Sequence, residues 1–476
     1  MMEEQQSAPE APPTPAPSTG KGMWIGLIVV IIVIVILLAA VFGGLLAPPA
    51  AQDKTLKIGT VLSLTGTSGL EAYGPTNQRG VTLAVNEINA AGGVLGNPIV
   101  LTNEDDAGVV ATARDKAQKL VTTNQVDAII GAVGSAYCQS ILEGVTKANK
   151  VIQISASCTS PLFSNLTYTD GWFLRTAPSD ALQGVVAANY AYTNRSFRNV
   201  GVIGNDNAYG RGLTGVFATK FRALNASNVA TVSIFANGKT TYNSELTALI
   251  TPQTQAIYMA NYPTDGLTVM RDWAANPTWA NIKWIFSEGL LSQGKFVDQL
   301  VTDGINPQTF EGSAPGAYLG IVGALYDGFL ARYKAAYSNQ DPGLFTANAY
   351  DAVYLLAAAA QKAGVATSQG IKDNIRAVAG PPGTTFTGGQ WAAIRNAIAN
   401  NTDINYEGAS GAVDIDPLGD PFSGYAIWGV NSTNKIVTLH YYPESLVRTL
   451  LGAPPAPVIG TRSAFDATEM LAAAKE

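Results

Sequence analysis

From Lys54 onward, short apolar runs alternate regularly with amphipathic stretches, and few folds accommodate this alternation. The apolar runs have the length and β-branched content of buried strands, and the stretches between them have the apolar spacing of helices. Strands and helices in this order are typical of an open parallel sheet covered by helices. The first predicted group contains strands at 56–64, 98–106, 126–134 and 151–155, and helices at 76–89, 111–122 and 140–148.

The alternation restarts after the segment 175–178. The second predicted group contains helices at 183–192 and 212–224, and strands at 199–206, 229–235, 256–262 and 281–289. Two long helices at 318–334 and 345–364 follow, and a hairpin of 424–431 with 435–442 completes the pattern. We therefore predict an α/β protein with two doubly wound parallel-sheet lobes of similar size, in keeping with a length of 476 residues.

An apolar run at 23–46 predicts contact with a membrane. The run carries no charge and would form a helix of roughly 36 Å at about 1.5 Å per residue, enough to cross a bilayer with some tilt. We predict a single uncleaved transmembrane anchor here, preceded by a disordered Pro-, Ala- and Glu-rich tail at 1–22 and followed by a linker at 47–54. A cleaved signal peptide is the main alternative, although its apolar region would be only about 7–15 residues.

The residues flanking this run leave two further questions open. Basic residues are too few on either side to predict the orientation of the helix from charge. The sequence Lys21-Gly22-Met23 also resembles the pilin-type signal of archaeal surface proteins, which is cut after the glycine and retains the helix.

The scarce residue types exclude several classes of function. One histidine and two cysteines exclude a two-histidine or four-cysteine zinc site within one chain, and a Ser-His-Asp triad could use only His440. A net charge of −6 without a Lys/Arg cluster argues against nucleic-acid binding. We therefore predict a binding protein rather than an enzyme, with no catalytic residue, metal or cofactor.

Polar side chains suited to a small zwitterion follow several of the predicted strands. Open α/β sheets bind ligands beyond the carboxyl ends of their strands. Ser135, Ser157 and Thr159 each follow a strand and lie beside the start of a predicted helix, where free N–H groups favour a carboxylate. Tyr262 and Glu288 end strands of the second group, and a carboxylate among apolar residues needs a cation, for which a ligand ammonium is one candidate.

Simpler structural roles are available for the same residues. Serine and threonine after a strand are ordinary helix N-caps. Glu288 could pair with a nearby Lys or Arg, and Tyr73 and Tyr209, each followed by glycine, could be turn aromatics. The glycine-rich segment 201–212 does not fit G-x-G-x-x-G and the chain has no GK[ST], so we predict no nucleotide site.

The combined motifs resemble the branched-chain amino-acid-binding proteins. They include IGTVLSLTGTSGLEAYGPTNQRG, IIGAVGSAYCQ, ISASCTSP, FLRTAPSDALQG, IGNDNAYGRG and IFSEG. Proteins of that family are extracytoplasmic components of ABC importers with the type I periplasmic binding protein fold. The resemblance extends over roughly 57–441.

The resemblance implies two lobes joined by a three-strand hinge, with the ligand between them. The implied segments are 55–176 and 313–414 for lobe 1, 177–312 and 415–441 for lobe 2, and 442–476 for a C-terminal tail, with crossovers near 175–178, 311–316 and 413–420. The residues implied for the ligand carboxylate are Ser135, Ser157 (through its backbone) and Thr159. Those implied for the ammonium are Tyr262 and Glu288, and those implied to line or close the cleft are Tyr73 and Tyr209.

The two cysteines depart from the family pattern. The first-lobe disulfide of some members would need cysteines near Gly108 and Gly134, where this chain has none. Cys138 and Cys158 instead fall on neighbouring strand-to-helix loops, which leaves open a disulfide between them or two free thiols.

These observations support one leading function and two alternatives. We expect a membrane-anchored, extracellular solute-binding protein that captures a branched-chain or other apolar amino acid and delivers it to ABC permease subunits. The alternatives are the ligand-sensing ectodomain of a receptor and a binder of a small amide, urea or aromatic acid. In that compartment we also expect glycosylation at some of the five N-x-[ST] sequons, which begin at Asn165, Asn194, Asn225, Asn400 and Asn431.

Overall fold

The computed structural model describes residues 54–319 and 323–452. The predicted anchor at 23–46 and the predicted tail at 1–22 lie outside these residues. Within the described ranges, no helix is long and apolar enough to cross a membrane.

Fifteen strands form three sheets in the described ranges. The strands are β1 (Lys57–Leu62), β2 (Val100–Asp105), β3 (Ala128–Gly131), β4 (Ile152–Ser155), β5 (Phe173–Arg175), β6 (Asn199–Asn205), β7 (Val229–Phe235), β8 (Ala256–Ala260), β9 (Lys283–Phe286), β10 (Glu311–Pro315), β11 (Thr384–Thr387), β12 (Ile404–Gly408), β13 (Gly411–Ala412), β14 (Tyr425–Val430) and β15 (Ile436–Tyr442). The α-helices are Gly74–Ala90, Val110–Thr122, Ser135–Ile141, Lys147–Asn149, Leu166–Thr169, Asp180–Asn189, Ala208–Leu224, Asn243–Leu249, Pro263–Ala274, Asp298–Thr302, Ala324–Ala336, Thr346–Ala363, Ser368–Ala379, Trp391–Ala399 and Glu444–Leu451.

Two large sheets define the two lobes. The sheet of the first lobe has the order β2-β1-β3-β4-β5 and is parallel throughout. The sheet of the second lobe has the order β15-β14-β10-β9-β8-β6-β7, and its strands from β7 to β10 are parallel. Strands β14 and β15 join that sheet in antiparallel pairing and form the predicted hairpin, which is confirmed. The prediction of two α/β lobes built on parallel sheets is also confirmed.

Burial explains why the central strands are almost wholly apolar. The strands Ala128–Gly131 and Ala256–Ala260 are buried along their whole length, as expected for parallel strands covered by helices on both faces. The helix Thr346–Ala363 is buried from Thr346 to Ala360, because it packs between the helix Gly74–Ala90 and the sheet of the first lobe. This late segment of the chain therefore returns to the first lobe.

In the described ranges the chain passes between the lobes three times, and a buried ion pair joins the first connection to the third. Arg175 ends β5, and its backbone N–H donates to the carbonyl of Gly419 at 3.0 Å. Its guanidinium binds the carboxylate of Asp420 in bidentate fashion, with N–O distances of 2.7 and 2.9 Å. The second connection leaves the seven-stranded sheet after β10, so Ser313 and Pro315 pair with β14 of the second lobe rather than lying in the first.

Two other regions differ from or extend the sequence predictions. The helix Glu444–Leu451 lies within the segment predicted as a tail at 442–476, and it packs against the helix Asp180–Asn189. The sequon residues Asn165, Asn194, Asn225 and Asn400 are exposed, and Asn431 is half-buried. Their surface positions are compatible with glycosylation, which stays a prediction.

Candidate functional site

A small cavity between the lobes brings together six of the seven residues predicted for the ligand site. These six residues are Tyr73, Ser157, Thr159, Tyr209, Tyr262 and Glu288. The seventh, Ser135, does not line the cavity. It begins the helix Ser135–Ile141, is buried, and accepts a hydrogen bond from the backbone N–H of Ser160 at 3.2 Å.

The lobes touch directly across this cavity. The Tyr73 hydroxyl donates to the carbonyl of Gly289 at 2.8 Å, and the Ser160 hydroxyl donates to the carbonyl of Ala208 at the same distance. The cavity volume is about 10 Å³, which is room for roughly one water molecule. Ligand pockets usually have about 300–1,000 Å³. A solute that needs such a volume would enter this cavity only if the lobes separated.

The first lobe presents hydroxyl groups to the cavity from the loop that follows β4. The Ser157 hydroxyl donates to the carbonyl of Val133 at 2.9 Å, and the Ser157 N–H donates to the Ser155 hydroxyl at 3.2 Å. The Thr159 hydroxyl lies 3.5 Å from the carboxylate of Glu288 in the second lobe. The N–H of Ser157, which the resemblance implies as a ligand donor, thus has an internal acceptor in this arrangement.

A disulfide bond joins Cys138 and Cys158, which resolves the alternative left open by the sequence. Cys138 lies on the helix that begins at Ser135, and Cys158 lies between Ser157 and Thr159. The bond therefore links the helix that begins at Ser135 to the loop that carries Ser157 and Thr159, so the prediction that Cys138 lies on a loop is wrong. Both cysteines are fully buried.

Glu288 is the acidic residue of the second lobe at this cavity. It follows β9 at the start of the short 3₁₀ turn Glu288–Leu290 and is 3% exposed. Burial raises the pKa of its carboxyl group to about 7, although the hydrogen bond from Gln183 and the nearby Tyr209 hydroxyl lower the pKa. Among the described residues, no lysine or arginine forms an ion pair with Glu288.

A second buried acid lies beside Glu288. Asp180 begins the helix Asp180–Asn189, and its backbone N–H donates to the carbonyl of Thr159 at 2.8 Å. Both carboxylate oxygens of Asp180 are buried. Burial and the charge of Glu288 raise the pKa of Asp180 well above its usual value, and Arg175 and the nearby Thr159 hydroxyl oppose this. Two adjacent buried acids give this part of the site a marked preference for positive charge.

Aromatic and aliphatic side chains complete the cavity wall. The rings of Tyr209 and Tyr262 stack with centroids 5.1 Å apart, and the Tyr209 hydroxyl donates to the hydroxyl of Ser287 at 2.7 Å. Leu344 and Phe345 approach from the segment before the helix Thr346–Ala363. Phe345 has a φ of 63°, a conformation that is rare for a bulky residue and is typical of functional sites.

Several residues of the site were not predicted from the sequence. Apolar lining residues that the sequence analysis did not single out are Leu70, Val133, Leu344 and Phe345. Asp180 and Gln183 belong to the quoted motif FLRTAPSDALQG, but the motif alone assigned them no role. No group of three His, Cys, Asp or Glu side chains in the described ranges is arranged to hold a metal ion.

Comparison with known proteins agrees with this architecture. The family model described as periplasmic binding protein matches residues 55–401. The chain belongs to the periplasmic binding protein family. The resemblance drawn from the sequence motifs is confirmed by this match together with the Leu/Ile/Val-binding relative described next.

Relatives of this periplasmic binding protein include two curated proteins. The chemotactic signal transduction system substrate-binding protein BasB of Halobacterium salinarum is 26% identical over 379 residues, which cover 78% of this chain and 86% of BasB. The Leu/Ile/Val-binding protein BraC3 of Rhizobium johnstonii is 30% identical over 323 residues, which cover 67% of this chain and 82% of BraC3.

A solved structure of similar fold is the leucine-binding protein LivK of Thermotoga maritima. It superposes with a TM-score of 0.67 at 22% identity and covers 82% of this chain and 99% of LivK. At this level of identity the likeness concerns the fold, and it agrees with the two-lobe arrangement of the periplasmic binding protein described above.

Proposed function

We propose that this chain is an extracellular, membrane-anchored solute-binding protein that captures a branched-chain or other apolar α-amino acid and delivers it to an ABC permease. The observation that carries the proposal is Glu288, a buried carboxylate between two lobes without a cationic partner among the described residues. The Leu/Ile/Val-binding relative supports the choice of ligand class.

The charges of the cavity fit a zwitterion that spans both lobes. An ammonium group at Glu288 would satisfy the second lobe, because a buried carboxylate is stable when paired with a cation. A carboxylate group would lie on the first lobe, at the hydroxyls of Ser157 and Thr159 and near the buried Ser135. Neither lobe alone satisfies both charges, so ligand binding would favour the closed arrangement.

The apolar side chain of the ligand would lie among the aliphatic and aromatic residues of the wall. Leu70, Val133 and Phe345 offer the apolar surface that such a side chain needs. Tyr73 and Tyr209 would close the cleft around it, and Tyr262 would lie near the ammonium. An amide or urea would leave the charge of Glu288 unpaired, and an aromatic acid would place no cation beside it. The site therefore favours an α-amino acid over these alternatives.

Calorimetry of L-leucine binding to the Glu288→Gln variant tests this assignment in the full chain. Loss of the carboxylate leaves a buried ammonium unpaired, at a cost of about 3–5 kcal/mol. At 1.4 kcal/mol per decade, Kd should rise roughly 10²- to 10³-fold or more. Glu104→Gln is the matched control, because Glu104 is a buried acid that pairs with Lys116 and Lys119 away from the cavity. Binding within threefold of wild type in both variants would refute the amine assignment.

A sensing function is the second candidate, favoured by the relative named for a chemotactic signal transduction system. The same ligand chemistry would then serve a signalling partner instead of a permease. Purification of the full chain from native membranes after mild cross-linking distinguishes the two. Recovery of permease and ATPase subunits supports transport, whereas recovery of a transducer protein without them supports sensing.

We infer from the apolar run at 23–46 that a retained helix anchors the chain and that the binding lobes face the cell exterior. N-terminal sequencing of the native protein checks this. A mature start at 47–54 would contradict it, and a start at Met23 would identify the pilin-type route. Some of the exposed sequons, such as Asn165, would carry glycans, and mass spectrometry showing all five unmodified would refute that part.

A further inference from the structure

Gln183 occupies an unusual position at the centre of the molecule. It lies one turn after Asp180 in the helix Asp180–Asn189, which follows the first connection between the lobes. Its side chain is fully buried. Residues three apart on a helix share a face, so Asp180 and Gln183 both face the neighbourhood of Glu288.

The amide of Gln183 connects Glu288 to β10, the strand after which the chain passes back to the first lobe. Its Nε2 donates to Oε2 of Glu288 at 2.6 Å, a short and charge-assisted hydrogen bond. The same nitrogen lies 3.1 Å from the carbonyl oxygen and 3.2 Å from the hydroxyl of Ser313, on β10. Its Oε1 atom is buried and has no hydrogen-bond partner among the described residues.

The chemistry of an amide suits this position better than that of a cation. A lysine or arginine here would neutralise Glu288 and remove the attraction for a ligand ammonium. A glutamine orients the carboxylate through N–H donation and leaves its charge available. The bond to Ser313 also holds the amide against β10, the neighbouring strand of the same lobe.

We propose that Gln183 is a positioning residue of the amine subsite, which fixes the carboxylate of Glu288 for the ligand ammonium and ties it to Ser313 on β10. This inference rests on the proposed function, because it presupposes an amine-bearing ligand at Glu288. Gln183 contributes through Glu288, so its effect on affinity depends on the presence of that carboxylate.

A double-mutant cycle on the full chain in detergent micelles tests this dependence. Kd for L-leucine is measured for wild type, Gln183→Met, Glu288→Gln and the double variant. Methionine preserves the volume and removes the donors. Loss of a hydrogen bond to a charged group predicts that Gln183→Met alone weakens binding roughly 10- to 100-fold. In the Glu288→Gln background the same substitution should change Kd less than about threefold.

A purely structural role predicts a different result. The loss from Gln183→Met would then persist in the Glu288→Gln background, and such additivity overturns the proposal. Gln183→Asn provides the conservative variant and should retain part of the affinity, because it keeps an amide donor. Equal losses of affinity in Gln183→Asn and Gln183→Met also count against the proposal. If Gln183→Met does not fold, the cycle is run with Gln183→Asn, whose loss should again disappear in the Glu288→Gln background.

Two further comparisons keep this test separate from the proposed function. Gln361→Met is the matched control, since Gln361 accepts a hydrogen bond from Leu95 in the first lobe at 2.8 Å, and its Kd should equal that of wild type. A wild-type chain that binds none of leucine, isoleucine and valine refutes the proposed function. Additive losses in a chain that does bind leucine refute only the role of Gln183.

Discussion

Removal of the Asp420 carboxylate should destabilise the protein strongly, because it leaves the guanidinium of Arg175 buried without a counter-ion. Arg175 is 0% exposed, and its five side-chain hydrogen bonds go to Asp420, Ser164, Cys158 and Ser160. In Asp420→Ala, two of these bonds are lost together with the only negative charge in the group. The Ser164 hydroxyl also loses its acceptor at 2.5 Å.

The magnitude follows from the general behaviour of buried ion pairs. Removing one partner of such a pair costs about 3–5 kcal/mol of unfolding free energy. Three neutral acceptors remain for Arg175, the carbonyls of Cys158 and Ser160 and the hydroxyl of Ser164, and they compensate part of the charge. We therefore expect the lower end of that range, about 3 kcal/mol.

Equilibrium urea unfolding, followed by tryptophan fluorescence, measures this loss. Asp403→Ala is the control, because Asp403 forms an ion pair with Lys362 at 3.1 Å and its side chain is 71% exposed. Such exposed pairs contribute about 0–1 kcal/mol. A difference of at least about 2 kcal/mol between the two variants is expected. If Asp420→Ala loses less than about 1 kcal/mol and matches the control, the buried pair does not stabilise the connection between the lobes.

Two further predictions concern the disulfide and the pH dependence of stability. Replacing both Cys138 and Cys158 by alanine should lower the unfolding free energy by about 3 kcal/mol, as expected for a disulfide that closes a loop with a sequence separation of 20. A loss under about 1 kcal/mol in urea unfolding would contradict this. Burial raises the pKa of Glu288 from 4.5 to about 7. Between these two pH values the folded chain without added ligand therefore retains a proton that the unfolded chain releases. The free energy of unfolding should consequently fall as the pH rises from about 4.5 to about 7. Glu288→Gln should remove about 3 kcal/mol of that fall, and identical pH profiles of unfolding for wild type and variant would refute the assignment of the shift to Glu288.

Local sequence patterns were sufficient to predict much of the fold. Apolar runs such as Ala128–Gly131 and Ala256–Ala260 are buried strands, because helices cover both faces of a parallel sheet. A strand buried on both faces consists of apolar residues throughout, so it can be recognised in the sequence. The hairpin of β14 and β15 was predicted from turn residues between two strand-like runs, although only β14 is fully buried and β15 is a largely exposed edge strand. Four of the polar residues that follow strands, Ser157, Thr159, Tyr262 and Glu288, line the cavity because strand ends converge at one edge of a sheet, whereas Ser135 does not. Their role in ligand binding stays a prediction.

Contacts between separate segments of the chain could be identified only from the tertiary structure. The pairing of Cys138 with Cys158 and the bond from Gln183 to Glu288, which are 105 residues apart, depend on how the loops and lobes dock. The helix Glu444–Leu451 and the approach of Phe345 to the cavity are further cases.

The physical reason is that the periodicity of apolar residues shows which face of a helix or strand is buried, but not which residues that face packs against. Apolar burial is non-directional and can be read from the side chains of a single segment. A hydrogen bond or a buried charge needs a partner at about 3 Å in a defined direction. For Glu288 that partner, Gln183, is supplied by a helix from another part of the chain, and only the folded molecule brings the two together.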